Sequence, residues 1–189
     1  MSKPSKAQSH HAAGSRTHGA GVLRPQRHDP YRPVGKLPEG STCPACQAQV
    51  HKGRWVRSPA NGEMHTAAHA PSPGLSRASG SAHLCPACTR IALRDPAGIL
   101  HLKGRYVSEH EAELRALLAH TAEHERALHP LERIMAVQRQ ADGSLEITTT
   151  GIHLVRVVGH ALQRAHHGHL EINYLEGESR VRSTWTRDD

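Results

Sequence analysis

The stretch CPACQAQVHKGRW, residues 43–55, decides the fold, because its first four letters return unchanged at residues 85–88. Two Cys-x-x-Cys pairs can supply four thiolates to a tetrahedral Zn²⁺ ion from two tight turns. The predicted ligands, which are all the cysteines of the chain, are Cys43, Cys46, Cys85 and Cys88. We therefore predict Zn²⁺ as a structural cofactor, bound in an N-terminal zinc ribbon over residues 39–98.

Two alternatives to this ligand set stay open. A Cys-Pro-x-Cys pair can lower a thiolate pKa for redox chemistry, although a thioredoxin-like catalyst needs only one such pair, at a strand-to-helix junction. A histidine can also replace a ligand, and the candidates near the pairs are His51, His65, His69 and His83. Four cysteines already complete the site, and a closed site leaves no position for an activated water. The pattern thus favours a structural metal in a protein that is not an enzyme.

The segment HKGRW, residues 51–55, follows the first cysteine pair directly. Lys52 and Arg54 are expected to contact phosphates, and Trp55 to stack on an unpaired base, which is a combination used in RNA recognition. Arg57 and Arg90 would extend this basic face. In the alternative interpretation, Trp55 packs in a core that is short of aromatic residues, and the arginines are merely solvated.

Basic residues are concentrated in the first hundred positions of the 189-residue chain. Residues 1–40 contain seven Lys or Arg against two acidic residues, residues 41–100 contain six against two, and residues 101–189 contain eleven against thirteen. This asymmetry predicts a nucleic acid or another polyanion as partner, with a solvated tail as the alternative. Residues 1–38 have no apolar periodicity, so we expect them to form a disordered basic tail.

The composition limits the size of the core. Only 37% of the residues are apolar and none is Phe, so a small domain of this kind needs a staple such as a metal. Residues 58–82 have low complexity and are predicted to form a long flexible loop within the ribbon. Neither a run of about 18 apolar residues nor the apolar core of a signal peptide is present. We therefore expect a cytoplasmic protein without a membrane partner.

Residues 99–189 are predicted to form a helix plus a small ββαββ domain, which makes the fold class α+β. Residues 99–102 and 105–107 favour a short hairpin around Lys103-Gly104. Ser108 and Glu111 have the spacing of a capping box, so the helix is expected to begin there and to end at Pro130.

The ββαββ pattern itself follows Pro130. Alternating apolar residues on both sides of Asp142-Gly143 predict a tight hairpin. Helical spacing over residues 152–165 predicts a helix, with Thr150 as its N-cap and Gly168 just beyond its end. Two further strands are predicted on either side of residues 176–179. One helix would then cover one face of a small sheet.

Several motifs resemble a known family. They are HDPY (28–31), KLPE (36–39), CPAC with HKGRW (43–55), LCPACTRI (84–91), PAG (96–98), HPLERIM (129–135) and ITTTGIHL (147–154). Together they resemble a bacterial family of uncharacterised small zinc-ribbon proteins, which sometimes carries an ATPase label, and the resemblance covers residues 28–187. The segment GLSRASGS (74–81) lacks the lysine of a phosphate loop, so we do not expect ATP hydrolysis.

A more distant resemblance concerns the order of elements around five residues: Cys85, Cys88, Asp142, Gly143 and His153. This order is similar to the N-terminal zinc-binding region of the NMD-three family of large-subunit export adaptors. The resemblance implies zinc binding and association with the large ribosomal subunit.

The function expected from the sequence is that of a non-enzymatic zinc-binding protein that associates with RNA or a ribonucleoprotein, in particular the ribosome. The basic zinc ribbon would make this contact, and the C-terminal domain would be available to a protein partner. Two other functions stay open. One is a protein-interaction or metal-responsive module without nucleic-acid binding, and the other is a thiol oxidoreductase.

Overall fold

A computed structural model describes residues 30–31, 35–57, 81–174 and 180–189. Most of the predicted tail over residues 1–38, most of the predicted loop over residues 58–82, and the predicted turn at residues 176–179 lie outside these ranges. The strands are β1 (Gln49–His51), β2 (Arg54–Val56), β3 (Gly98–Lys103), β4 (Ile134–Arg139), β5 (Leu145–Thr149), β6 (His169–Tyr174) and β7 (Val181–Thr186). The helices are α1 (Pro86–Leu93), α2 (Arg105–Glu109), α3 (Glu111–Leu128) and α4 (Ile152–His166).

The larger sheet has five strands in the order β4-β5-β3-β7-β6. Strand β3 lies parallel to β7, and the other neighbouring pairs are antiparallel. The three central strands alternate between buried and more exposed residues, so one face of the sheet is apolar and the other is polar, as in sheets covered on one side. The predicted α+β class is confirmed, and both predicted strand pairs after Pro130 are present.

Strand β3 is the main difference from the predicted ββαββ pattern, because it occupies the centre of the sheet. The prediction that residues 105–107 form a strand paired with β3 is wrong, since these residues belong to α2. Gly104 turns the chain at φ +105°, and an added Cβ there would lie 2.0 Å from the carbonyl oxygen of Arg187. This turn directs Tyr106 and Val107 into the core. The core favours a helix over a return strand at this point.

The main core lies between the apolar sheet face and the helices. Helix α4 contacts four of the five strands, and α3 packs against α4. The largest buried side chain is Trp185, which is fully buried and donates from Nε1 to the carbonyl oxygen of His167 at 2.8 Å. Fully buried leucines from β3, β5, α3 and α4 complete this cluster. The domain is therefore held by one apolar layer.

Both predicted side-chain caps are wrong. Helix α3 begins at Glu111 without a side-chain cap, because the Glu111 carboxylate instead accepts from Arg115 and Arg139, each at 2.7 Å. Helix α4 begins after Gly151. The Thr150 hydroxyl accepts from the Arg133 backbone N–H at 2.9 Å and donates to the carbonyl oxygen of Leu131 at 2.6 Å, so it contacts the segment before β4 and not the first turn of the helix. The end of α3 two residues before Pro130 and the turn at Gly143, with φ +82°, agree with the predictions.

A second, smaller unit contains the β1–β2 hairpin and α1. Its buried apolar residues are Cys43, Ala48, Cys85, Ala87 and Cys88, and the partly buried Cys46, Trp55 and Leu131 pack against them. Half of these eight side chains are cysteines. Within the described ranges, none of the helices combines the length and apolar character that a membrane crossing requires.

Candidate metal centre

The four cysteines come from two tight turns. The first CPAC sequence closes when the Gln47 backbone N–H donates to the carbonyl oxygen of Cys43 at 2.8 Å. In the second, Cys85 is the N-cap of α1 and Pro86 is its first residue, a position that suits the fixed φ of proline. The Cys88 N–H donates to the Cys85 sulfur at 3.4 Å. The same four letters thus form two different turns that both direct their thiols inward.

All four sulfur atoms lie within 4.8 Å of one another. A tetrahedral zinc site, with Zn–S bonds of about 2.3 Å, requires sulfur separations of about 3.8 Å, and the Cys46 and Cys85 sulfurs are 3.7 Å apart. Cys43 and Cys85 are fully buried, whereas Cys46 is half-buried. The donor set and its spacing fit a metal ion enclosed by protein.

Arg133 is a residue of this centre that sequence reasoning missed. Its guanidinium donates to the sulfur of Cys46 at 3.0 Å and to that of Cys88 at 3.3 Å. The Nε group of the same side chain donates to the carbonyl oxygen of Pro130 at 2.8 Å, which orients the guanidinium. Arg133 lies 45 residues after Cys88, and no spacing rule connects an arginine to ligands at that distance. Its position in HPLERIM is the only local signal.

The electrostatics of the thiols depend on burial and on Arg133. Burial by itself raises the pKa of Cys46, but the Ala48 backbone and the Arg133 guanidinium together lower it to about 7. Burial raises the pKa of both Cys85 and Cys88. Because four thiolates carry more negative charge than one divalent ion neutralises, a fixed guanidinium beside them stabilises the ionised, metal-binding form.

The predicted nucleic-acid residues divide into three groups. Lys52 and Arg54 are exposed at the tip of the β1–β2 hairpin, and Arg57 is exposed but lies 3.4 Å from the Glu123 carboxylate. Trp55 is half-buried and packs against the cysteine cluster, as in the alternative interpretation of this residue. The tip of the hairpin therefore presents two basic side chains, Lys52 and Arg54, while Trp55 packs against the predicted metal ligands.

Arg90 does not share that surface. It is only 2% exposed, and its guanidinium lies 3.4 Å from the Asp95 carboxylate and 4.7 Å from the centre of the Tyr31 ring. Asp95 also accepts a hydrogen bond from the Tyr31 hydroxyl at 2.8 Å. The prediction of Arg90 as an exposed basic residue is corrected accordingly: this arginine joins α1 to the HDPY segment inside the protein.

The tip of the hairpin has an unusual backbone. Lys52 and Gly53 both have positive φ values, +49° and +74°, and a two-residue turn of this kind is usually built from Asn and Gly. The Glu39 carboxylate accepts the Lys52 backbone N–H at 2.9 Å and lies 2.7 Å from Nδ1 of His51. These contacts hold Lys52 in a backbone conformation that is disfavoured for residues with a side chain.

The four thiols can hold one metal ion and would fill all four positions of a tetrahedral coordination sphere. The donors of this site, its burial and the Arg133 guanidinium beside its thiols fit a bound metal ion, and the exposed hairpin packs against the site through Trp55. These conclusions stand on geometry alone, since no protein-family model, no curated protein and no solved structure matches this chain.

Proposed function

We propose that this chain is a non-enzymatic zinc-binding protein that associates with RNA or a ribonucleoprotein, in particular the ribosome. The observation that carries the proposal is the position of Lys52 and Arg54, both exposed at the tip of a hairpin whose base is the four-cysteine cluster. The β1–β2 turn places the two residues on either side of Gly53, so both cations can contact phosphates of one nucleic-acid backbone.

Zinc is the metal that suits this donor set best. Four thiolates are soft ligands, and Zn²⁺ accepts a closed tetrahedral arrangement without redox chemistry. The small unit buries little besides its cysteines, so the free energy of metal binding would stabilise its fold. The ion holds the hairpin in place, and the protein surface makes the contact with RNA.

Sedimentation of cell lysate through a sucrose gradient tests the RNA proposal. We expect the protein to co-sediment with ribosomal particles at low salt and to be released as salt rises, because phosphate contacts release counterions. The double variant Lys52→Gln/Arg54→Gln should stay at the top of the gradient. The control Arg156→Gln/Arg164→Gln removes the same charge from exposed positions of α4 and should still co-sediment. Wild-type protein that stays at the top at low salt would exclude the proposal.

A protein-interaction role is the second candidate, and a groove of about 430 Å³ between α3 and β4 favours it. The apolar residues that line this groove are Leu118, Ala119, Ala122, Ile134 and Val137, with Arg115 and Arg126 beside them. Filter binding separates the two functions. Equal and weak affinity for RNA, DNA and heparin would favour the protein-interaction role over specific RNA binding.

The thiol oxidoreductase alternative is tested by metal analysis of the purified protein. A structural site predicts about one zinc ion per chain, which the Cys85→Ser variant should lose. Reduction of insulin by the metal-free wild type, together with no stoichiometric zinc, would favour the redox function instead.

A further inference from the structure

A second cluster of metal-binding side chains lies where α3 ends and α4 begins. Its members are Glu125 in the last turn of α3, His129 just after that helix, and His153 in the first turn of α4. Each offers one donor atom, and these three atoms lie within 4.8 Å of one another. Glu125 and His129 are four residues apart, so helical geometry places them on one side of α3.

Glu125 is buried although it carries a carboxylate. Glu125 is only 8% exposed, and its Oε2 atom makes no hydrogen bond within the described part of the chain. Two imidazoles lie close to this carboxylate: Nε2 of His153 is 3.2 Å from Oε2, and Nδ1 of His124 is 3.8 Å from Oε1. A buried carboxylate oxygen without a hydrogen bond is unfavourable unless a cation compensates its charge.

A second carboxylate, that of the partly buried Glu132, lies beside this cluster. Its Oε2 atom accepts from the Leu154 backbone N–H at 3.0 Å, directly after His153. Gly151 leaves the space for it, because a Cβ at that position would lie 2.1 Å from Oε1 of Glu132. The region therefore holds two carboxylates and three imidazoles, those of His124, His129 and His153. One divalent cation would balance the charge of both acids.

We propose that Glu125, His129 and His153 bind a divalent transition-metal ion such as Zn²⁺ through one carboxylate oxygen and two imidazole nitrogens. Ligands with bonds of about 2.1 Å in a tetrahedral arrangement are about 3.4 Å apart. Because the three donor atoms lie within 4.8 Å of one another, the most distant pair needs to approach by at most about 1.4 Å. The two histidines are exposed, and their rings can make this adjustment. Three protein ligands leave one coordination position open to water or to another ligand.

This site differs in chemistry from the four-cysteine centre, although the same chain segment reaches both. His129 belongs to the proposed site, Leu131 packs against the cysteine cluster, and Arg133 donates to its thiols. The two sites can be distinguished because only a thiolate site gives an intense sulfur-to-metal charge-transfer band with Co²⁺. A site with nitrogen and oxygen ligands gives weak visible bands alone.

Titration of the full chain with Co²⁺ tests the proposal, with bound metal counted by elemental analysis. We expect about two equivalents per chain, the second of which adds weak visible absorption without a charge-transfer band. The variant His129→Gln/His153→Gln should lose this second equivalent and keep the first. Both substitutions are at exposed positions, so the fold should persist.

The matched control is His120→Gln/His160→Gln, which removes two exposed histidines from the same helices and should keep both equivalents. Loss of the second equivalent from His129→Gln/His153→Gln but not from this control would show that the binding depends on His129 and His153. Saturation of the wild type at one equivalent would overturn the proposal. So would a second equivalent that persists in His129→Gln/His153→Gln, because the metal would then be bound elsewhere.

Discussion

Lys52 occupies a backbone conformation that costs a residue with a side chain roughly 1 kcal/mol relative to glycine. Its φ of +49° suits Asn or Gly, so the lysine at the hairpin tip has a function other than stability if the proposed RNA contact is correct. One substitution of Lys52 should therefore change protein stability and RNA binding in opposite directions.

We expect Lys52→Asn to raise the stability of the hairpin unit by up to about 1 kcal/mol while it weakens RNA binding. Hydrogen exchange of β1 and β2 measures the first effect, and filter binding measures the second. The control Lys103→Asn changes an exposed lysine of β3 and should weaken RNA binding much less. A variant that is more stable and binds RNA as tightly as wild type would contradict a contact by Lys52.

Arg133 acts on the metal through its ligands. Because its guanidinium donates to the sulfurs of Cys46 and Cys88, we expect Arg133→Gln to weaken zinc binding by about 10–100-fold. Competition with a chromophoric chelator measures the change. Arg126→Gln, which removes an exposed arginine from the end of α3, should leave the competition curve unchanged. Equal curves for both variants would show that the Arg133 contacts do not stabilise the metal-bound thiolates.

At the scale of elements, the Glu111 carboxylate joins the first turn of α3 to the edge strand β4. Arg115 holds the pKa of Glu111 below its ordinary value, and Arg139 adds to this effect. An acid whose pKa is lowered in the folded state stabilises the fold above the pKa of the unfolded chain. That contribution disappears as the pH falls through the lower, folded-state value.

We therefore expect Glu111→Gln to be less stable than wild type at pH 7, and the difference to vanish at a pH well below the ordinary carboxyl pKa of about 4.3. Urea unfolding at pH 7 and under acid conditions measures it. Glu109→Gln changes an exposed acid of α2 and is the control. A difference that stays constant with pH would show that the ion pairs of Glu111 do not contribute.

The helices and strands that were predictable from the sequence are determined by residues close to one another in the chain. The β4–β5 hairpin follows from Asp142-Gly143 between alternating residues, and α4 follows from its apolar spacing. The caps were wrong because Glu111 and Thr150 form their hydrogen bonds with other elements. Residues that are far away in sequence decide those contacts, and a local motif contains no information about them.

At the scale of the whole molecule, the described residues form two cores, and the segment before β4 reaches both of them. The main core contains leucines, Ile147 and Trp185, whereas the smaller one consists largely of cysteines. Leu131 and Arg133 reach from the main domain into the smaller unit. The cysteine pairs could be found from their spacing, but this joint and the central position of β3 could not, because both depend on pairings distant in sequence.

Removal of the metal should therefore affect the two units differently. We expect a chelator to abolish the hydrogen-exchange protection of β1, β2 and α1, while β3, β5 and β7 stay protected, since the main core does not depend on the ion. Hydrogen exchange with mass spectrometry measures this for each segment. Uniform loss of protection across both units would show that they unfold as one cooperative body.

The parallel pairing of β3 with β7 has a consequence for synthesis of the chain. Strand β7 lies between β3 and β6, so the sheet cannot be completed until residues 181–186 have been translated. Residues 43–88, which contain all four thiols, emerge well before them. Metal capture can thus come first during synthesis, while the edge of β3 that pairs with β7 stays unpaired, which exposes the nascent chain to aggregation.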